Sequence, residues 1–171
     1  MRISVRLTFL ALVMALTIGC DRATKHMATA LLADKPTQSF LADTVHLVYA
    51  ENTGGFLELG AGLPPVVRTS VFTVATGLVL VMLFGALLRA RWSFWQALAI
   101  ALFLSGGISN WIDRLIRGSV VDFMNVGVGW LRTGIFNFAD VAITLGIAIF
   151  VLSELSARVT PNNALDRTRD G

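Results

Sequence analysis

Charge is scarce in this chain. Asp, Glu, Lys and Arg make up 15% of its 171 residues, against 55% hydrophobic residues. A soluble domain of this size needs far more charge to cover its surface, so that class is excluded first. Cysteine is nearly absent: Cys20 stands alone, and one cysteine excludes an internal disulfide. The two histidines, His26 and His46, lack the spacing of a metal-binding helix, and no GxSxG occurs. With lysine only at positions 25 and 35, schemes that pair a nucleophile with a base are poorly supplied, and no metal or cofactor is expected. The net charge of +3 is scattered over span ends, which is no footprint for nucleic acid.

Long uncharged runs are abundant instead. Residues 69–88 and 92–112 carry no charge, residues 7–20 form a shorter uncharged run, and residues 134–152 are broken only by Asp140. Runs of about twenty apolar residues are long enough to cross a bilayer. Four spans are expected, at about 3–25, 66–88, 92–113 and 134–155. Arginines before span one, between spans two and three and after span four follow the positive-inside rule. Both termini are therefore expected in the cytoplasm, with segments 26–65 and 114–133 outside. Residues 1–155 read as a single membrane-embedded domain. Residues 156–171, polar and holding Pro161, read as a disordered tail.

In the first outer segment, "TVHLVYAEN" has the period of two of a strand, and turn signals follow it. A small curved sheet near the membrane surface is expected there. Pro64 and Pro65 suit the entry of span two. The second outer segment is apolar and glycine-rich, and its Trp130 suits an interfacial depth.

Chemistry concentrates where polar residues interrupt the spans. Gly106, Asn110 and Asp113 fall at i, i+4 and i+7, on one helix face. Asn137, Asp140 and Thr144 suggest a second such face. An ionised carboxylate inside a span costs at least about 2.5–3.5 kcal/mol, so Asp140 calls for a function and a partner. Asp122, brought to the mouth of span four by a re-entrant turn, is the candidate partner. Two carboxylates in a poorly solvated place share a proton and titrate as a coupled pair. One can take a proton from water while the other delivers one to a carbonyl oxygen. A proton relay in a small transporter remains the alternative on chemistry alone.

Four blocks in order, "DRATK" (21–25), "ENTGGF" (51–56), "GGISNWIDR" (106–114) with "GSVVDF" (118–123), and "FNFAD" (136–140), make the chain resemble the bacterial lipoprotein signal peptidases, or signal peptidase II. The resemblance covers nearly everything but the tail. It implies an all-α integral membrane protein of four transmembrane helices with a small extracytoplasmic β-cradle and a short outside helix. It also implies an aspartic endopeptidase that removes signal peptides from diacylglyceryl-modified prolipoproteins, cutting before the lipid-bearing cysteine. Its partners are then those substrates and membrane lipids, and it is expected to act as a monomer. The implied place is the bacterial inner membrane, with the active site near the periplasmic face. Carried over by motif, the catalytic pair is Asp122 and Asp140. Substrate-binding or supporting positions are Asp21, Lys25, Asn52, Gly54, Gly106, Asn110, Asp113, Arg114, Asn137 and Ala139. Two small-for-small departures occur, at Gly55 and at Ser109-Asn110.

The run ending in Gly19-Cys20 also resembles the close of a lipoprotein signal. Thr17 stands where such a signal usually has Leu, and three more spans follow. Cys20 is therefore read as a buried small residue of an uncleaved helix. A presenilin-like protease is disfavoured because GxGD is absent.

Overall fold

The computed structural model describes residues 3–54, 60, 62–89 and 92–159. Its order is α1 (Ile3–Leu32), β1 (Gln38–Phe40), β2 (Val45–Asn52), α2 (Pro65–Thr69), a π-helical turn (Ser70–Ala75), α3 (Thr76–Arg89), α4 (Phe94–Arg117), β3 (Val120–Val128), β4 (Leu131–Arg132) and α5 (Phe138–Val159). Among the described residues, four helical stretches are long and apolar enough to cross a membrane: Val5–Leu32, Pro65–Leu88, Phe94–Arg117 and Phe138–Ala157. The second is composite, running through α2, the π turn and α3.

Span two agrees with the expected one to within a residue, and spans one, three and four differ at their ends. Asp21 and Lys25 mark no end to α1, because they pair with each other and with groups inside the bundle; the helix runs on to Leu32, before Pro36. Helix α4 begins after Ser93, whose side chain and that of Gln96 form a capping box, and it ends at the left-handed Gly118. Asp113 and Arg114 lie within it. Helix α5 starts at Phe138 rather than near residue 134 and continues to Val159. The tail expected to be disordered thus begins with helix, and its residues 160–171 lie outside the described residues, as do Gly55 and Phe56.

Helix α4 is the central one, packed against α1, α3 and α5. It can be central because its buried face is small: Ala97, Ala101, Ser105, Gly106 and Ser109 let neighbours approach closely. A Cβ on Gly106 would collide with the Ala139 carbonyl oxygen of α5. One on Gly146 of α5 would lie 2.6 Å from the Ala99 carbonyl oxygen of α4. Leu80, Ile100 and Leu104 form one apolar cluster between α3 and α4, and Leu10, Ala97 and Ala101 form another between α1 and α4. The large apolar side chains left exposed on α1, α3 and α5 are the expected lipid-facing surface.

Cys20 is on that outer surface, which corrects the expectation of a buried residue. The inward stripe of α1 is Leu10, Thr17, Asp21, Lys25, Ala28 and Leu32, at helical spacing, and Cys20 falls outside it.

The sheet has the order β1-β2-β3-β4, all antiparallel. Asp122 is carried by strand β3 and not by a re-entrant turn: the β-branched run Val120–Val121 pairs with β2, placing Asn52 opposite Val120 and Ala50 opposite Asp122. Val121 and Phe123 are buried with Ala28 and Leu32, which fixes the sheet on the end of α1.

Candidate active site

Four elements bring carboxylates to one end of the bundle: α1 with Asp21, α4 with Asp113, β3 with Asp122, and the first turn of α5 with Asp140. All four are buried.

The start of α5 organises the group. Asn137 is its N-cap rather than a member of the helical face expected from the sequence. The Asn137 side-chain oxygen accepts from the Asp140 N–H at 3.0 Å, and the Asp140 Oδ2 accepts from the Asn137 N–H at 3.1 Å. This reciprocal capping box has Asp in the third helical position. Because the Asn137 oxygen is held by a backbone donor, its amide nitrogen must face outward. There it donates to Asp122 Oδ1 at 2.6 Å and to Asn110 Oδ1 at 3.2 Å. One residue thus holds both Asp122 and Asp140. The neighbouring Ala139 N–H donates to Asp21 Oδ1 at 2.8 Å, so α1 satisfies another free donor of the same helix end.

Asn52 repeats this logic on the sheet side. Its oxygen accepts from the Gly54 N–H at 2.9 Å, which turns its amide nitrogen to Asp122 Oδ2, also at 2.9 Å. Asn110 donates to Asp140 Oδ1 at 2.9 Å. Each of the two carboxylates thus accepts from an asparagine amide, Asp122 from Asn52 and Asp140 from Asn110.

Behind them is an ionic layer. Lys25 Nζ is buried and reaches Asp21 at 2.7 Å, Asp113 at 2.8 Å and Asn110 Oδ1 at 2.7 Å, three acceptors for its three protons. Arg22 pairs with Asp113. Arg114 donates to the Gly54 carbonyl oxygen at 2.6 Å, and its guanidinium lies over the Phe72 ring, 5.9 Å from the centroid. Gly106 and Ala139 act through space, allowing α4 and α5 to meet. Every sequence-predicted site residue thus falls in or beside this cluster.

Two residues escaped the sequence reading. The Ser109 hydroxyl donates to Asp21 Oδ2 at 2.6 Å, so the departure noted at this position is a specific hydrogen bond. Its one signal was a hydroxyl beside Asn110 inside a span. Arg22 had no signal beyond standing next to Asp21.

Burial pushes the Asp122 carboxyl up from its ordinary 3.8 to about 6. The Asn52 donor opposes the shift, and the Asp140 charge adds to it. A groove of about 610 Å³ runs between α3, α4 and α5 and reaches Asn110, Arg114 and Asp140 past Phe72, Val79 and Ile147. It offers an apolar path from the lipid-facing side to the carboxylates.

Fold and site together define a multi-pass membrane protein in which Asn137 links a strand carboxylate, Asp122, to one in the first turn of α5, Asp140. The family model described as signal peptidase (SPase) II matches residues 13–156. The lipoprotein signal peptidase of Chlorobium phaeobacteroides is 33% identical over 147 residues, covering 81% of this chain and 90% of its own. That of Nostoc punctiforme is 30% identical and covers 97% of this chain and 100% of its own. A solved bacterial membrane enzyme superposes with a TM-score of 0.78 at 22% identity, over 91% of this chain and 93% of that one. The chain belongs to the signal peptidase II family and is an aspartic-type endopeptidase. The transporter alternative is set aside by the same match.

Proposed function

We propose that this protein removes signal peptides from diacylglyceryl-modified prolipoproteins, cutting before the lipid-modified cysteine with Asp122 and Asp140 as a proton-sharing dyad. The observation that carries this reading is the Asn137 bridge, whose side-chain amide holds Asp122 while its backbone N–H holds Asp140. The charge balance supports it. The cluster has four carboxylates (Asp21, Asp113, Asp122, Asp140) and three cations (Arg22, Lys25, Arg114), so one proton shared by the dyad leaves it neutral. One carboxylate takes a proton from water as it attacks the scissile carbonyl. The other delivers its proton to the carbonyl oxygen, and the pair titrates as a unit.

The remaining residues have supporting duties. Asn52, Asn110 and Asn137 position the dyad, Asp21, Lys25 and Asp113 brace the helix ends behind it, and Gly54 and Arg114 line its mouth. The lipid-bearing part of the substrate enters along the apolar groove. The sheet acts as the extracytoplasmic cradle. The family's outside helix has no separate counterpart among the described residues of the outer segments. The protein works as a monomer in the inner membrane, with both termini cytoplasmic and the dyad toward the periplasm.

Purified protein in lipid, given a diacylglyceryl-prolipoprotein, tests the dyad by a gel shift. Asp122→Asn and Asp140→Asn should each abolish cleavage while substrate binding persists. The double variant should be no worse than either single, because the two act together. Near-normal cleavage by either folded variant ends the assignment.

A further inference from the structure

The sheet has an apolar face that the peptidase reading leaves without a use. In its outer half, the cross-strand pairs divide cleanly by side. Phe40–Val45, Leu47–Met124, Val45–Val126 and Val128–Leu131 face one way, and Ser39–His46, His46–Asn125 and Gly127–Arg132 face the other. The first set is apolar, and the one polar residue that shares its side in these pairings is Gln38, opposite Leu47. The second carries the hydrogen bonds, with Arg132 on Asn125 and with Ser39 and His46 on Asp43.

The apolar side is the one that meets the spanning helix. Leu47 and Met124 pack against the cluster containing Ala28 and Leu32 of α1. A groove of about 320 Å³, lined by Met27, Leu31, Leu47 and Phe123 and also by Thr24, Lys35 and Gln38, joins the exposed flank of α1 to this face. Beyond the helix the face is uncovered: Val128 is 73% exposed and Leu131 69%. The two turns extend it. Trp130 is 93% exposed and Leu41 75%. Leu41, Ala42 and Asp43 all have positive φ, a conformation that costs non-glycine residues energy. It is held by Arg132 on the Asp43 carbonyl oxygen and by the Gly127 N–H on the Thr44 carbonyl oxygen, which bind the two turns side by side.

We propose that the outer half of the sheet is a lipid-docking face, lying with its apolar side in the headgroup–acyl boundary of the leaflet around α1. The face is continuous with the lipid-facing flank of a spanning helix, its other side is polar, and it ends in an exposed tryptophan, the residue favoured at that depth. The proposal rests on the spans alone, so it stands or falls separately from the peptidase reading.

The full chain in phosphatidylcholine vesicles tests it. In a Cys20→Ser background, nitroxide labels are placed at Val128→Cys and Ser39→Cys. The label at 128 should be relaxed more by oxygen than by a water-soluble nickel chelate, with the order reversed at 39. A label at 128 as open to the chelate as that at 39 overturns the proposal. So does a label at 128 shielded from both reagents, which indicates a protein partner such as a second copy. A second measurement needs no new cysteine. The emission lost in Trp130→Phe should be quenched by brominated lipid and spared by iodide, and the reverse result also overturns the proposal.

Discussion

Asn137 shows how few atoms this site needs. As an N-cap it starts α5, and the hydrogen bond that fixes its oxygen on Asp140 aims its nitrogen at Asp122. Asn52 does the same from the sheet, with Gly54 as the fixing donor. A donor to a carboxylate stabilises the ionised form, so Asn52 holds Asp122 lower than burial alone would. Asn52→Ala should therefore move the basic limb of the pH–rate profile of cleavage to higher pH and lower kcat about 10-fold or more, the scale of one lost charged hydrogen bond. A mutant profile with an unshifted limb would show that Asn52 does not act through Asp122. For stability the sign runs the same way. The folded value of about 6 lies above the ordinary 3.8, so the folded chain holds this proton more tightly. The stability that this proton brings is present at low pH and is lost as pH rises from about 4 through about 6.

At the scale of elements, the site depends on how closely α4 and α5 approach. Gly106 lies under the Ala139 carbonyl, one residue before Asp140, so a side chain there must push the start of α5 away from Asn110. Gly106→Val should lower the thermal midpoint in detergent, with a cost of about 1–3 kcal/mol for overpacking, and should reduce cleavage more than that loss of folded protein explains. Equal stability and activity in Gly106→Val would remove the close approach from the account. The π turn in span two has a similar local origin. The Trp111 indole donates to the Thr73 carbonyl oxygen at 2.7 Å, within that turn, and its ring lies where a Cβ on Gly77 would be. A side-chain donor aimed at a helix carbonyl is one of the known causes of such local unwinding.

For the whole molecule, the proposed orientation follows from four helices able to cross a membrane, an even number that would put both ends of the chain on one side. In that proposal the arginines before the first span, between the second and third and after the fourth favour the cytoplasm for that side. A reporter active only in the periplasm, fused after residue 171, should be silent, whereas the same reporter inserted at Asp43 should be active. A strong signal from the C-terminal fusion would overturn the orientation. With this orientation the buried ionic layer sits at the outer ends of α1, α4 and α5, within reach of water from the side where the sheet lies.

The four spans were legible in the sequence because a bilayer demands unbroken apolar length, a property that composition records directly. The strand 45–52 was legible from its alternation, and the residues that gather in the candidate site were singled out by short blocks that resemble a family. The span ends were misjudged at Asp21, Lys25 and Asp113, because a charge reads as an exit from the membrane whether or not a partner waits for it inside. Lys25 meets Asp21 four residues earlier in sequence but Asp113 and Asn110 only through packing. Strand β3 was hidden because Asp122, Asn125 and Gly127 interrupt its pattern, and its pairing with β2 spans some seventy residues or more, as does the Asn52–Asp122 bond. That Cys20 faces outward, that Ser109 serves Asp21, and that Asn137 caps a helix were likewise decided in three dimensions. Residue types and spacing determine which groups are costly to bury; only the tertiary arrangement supplies the partners that make their burial possible.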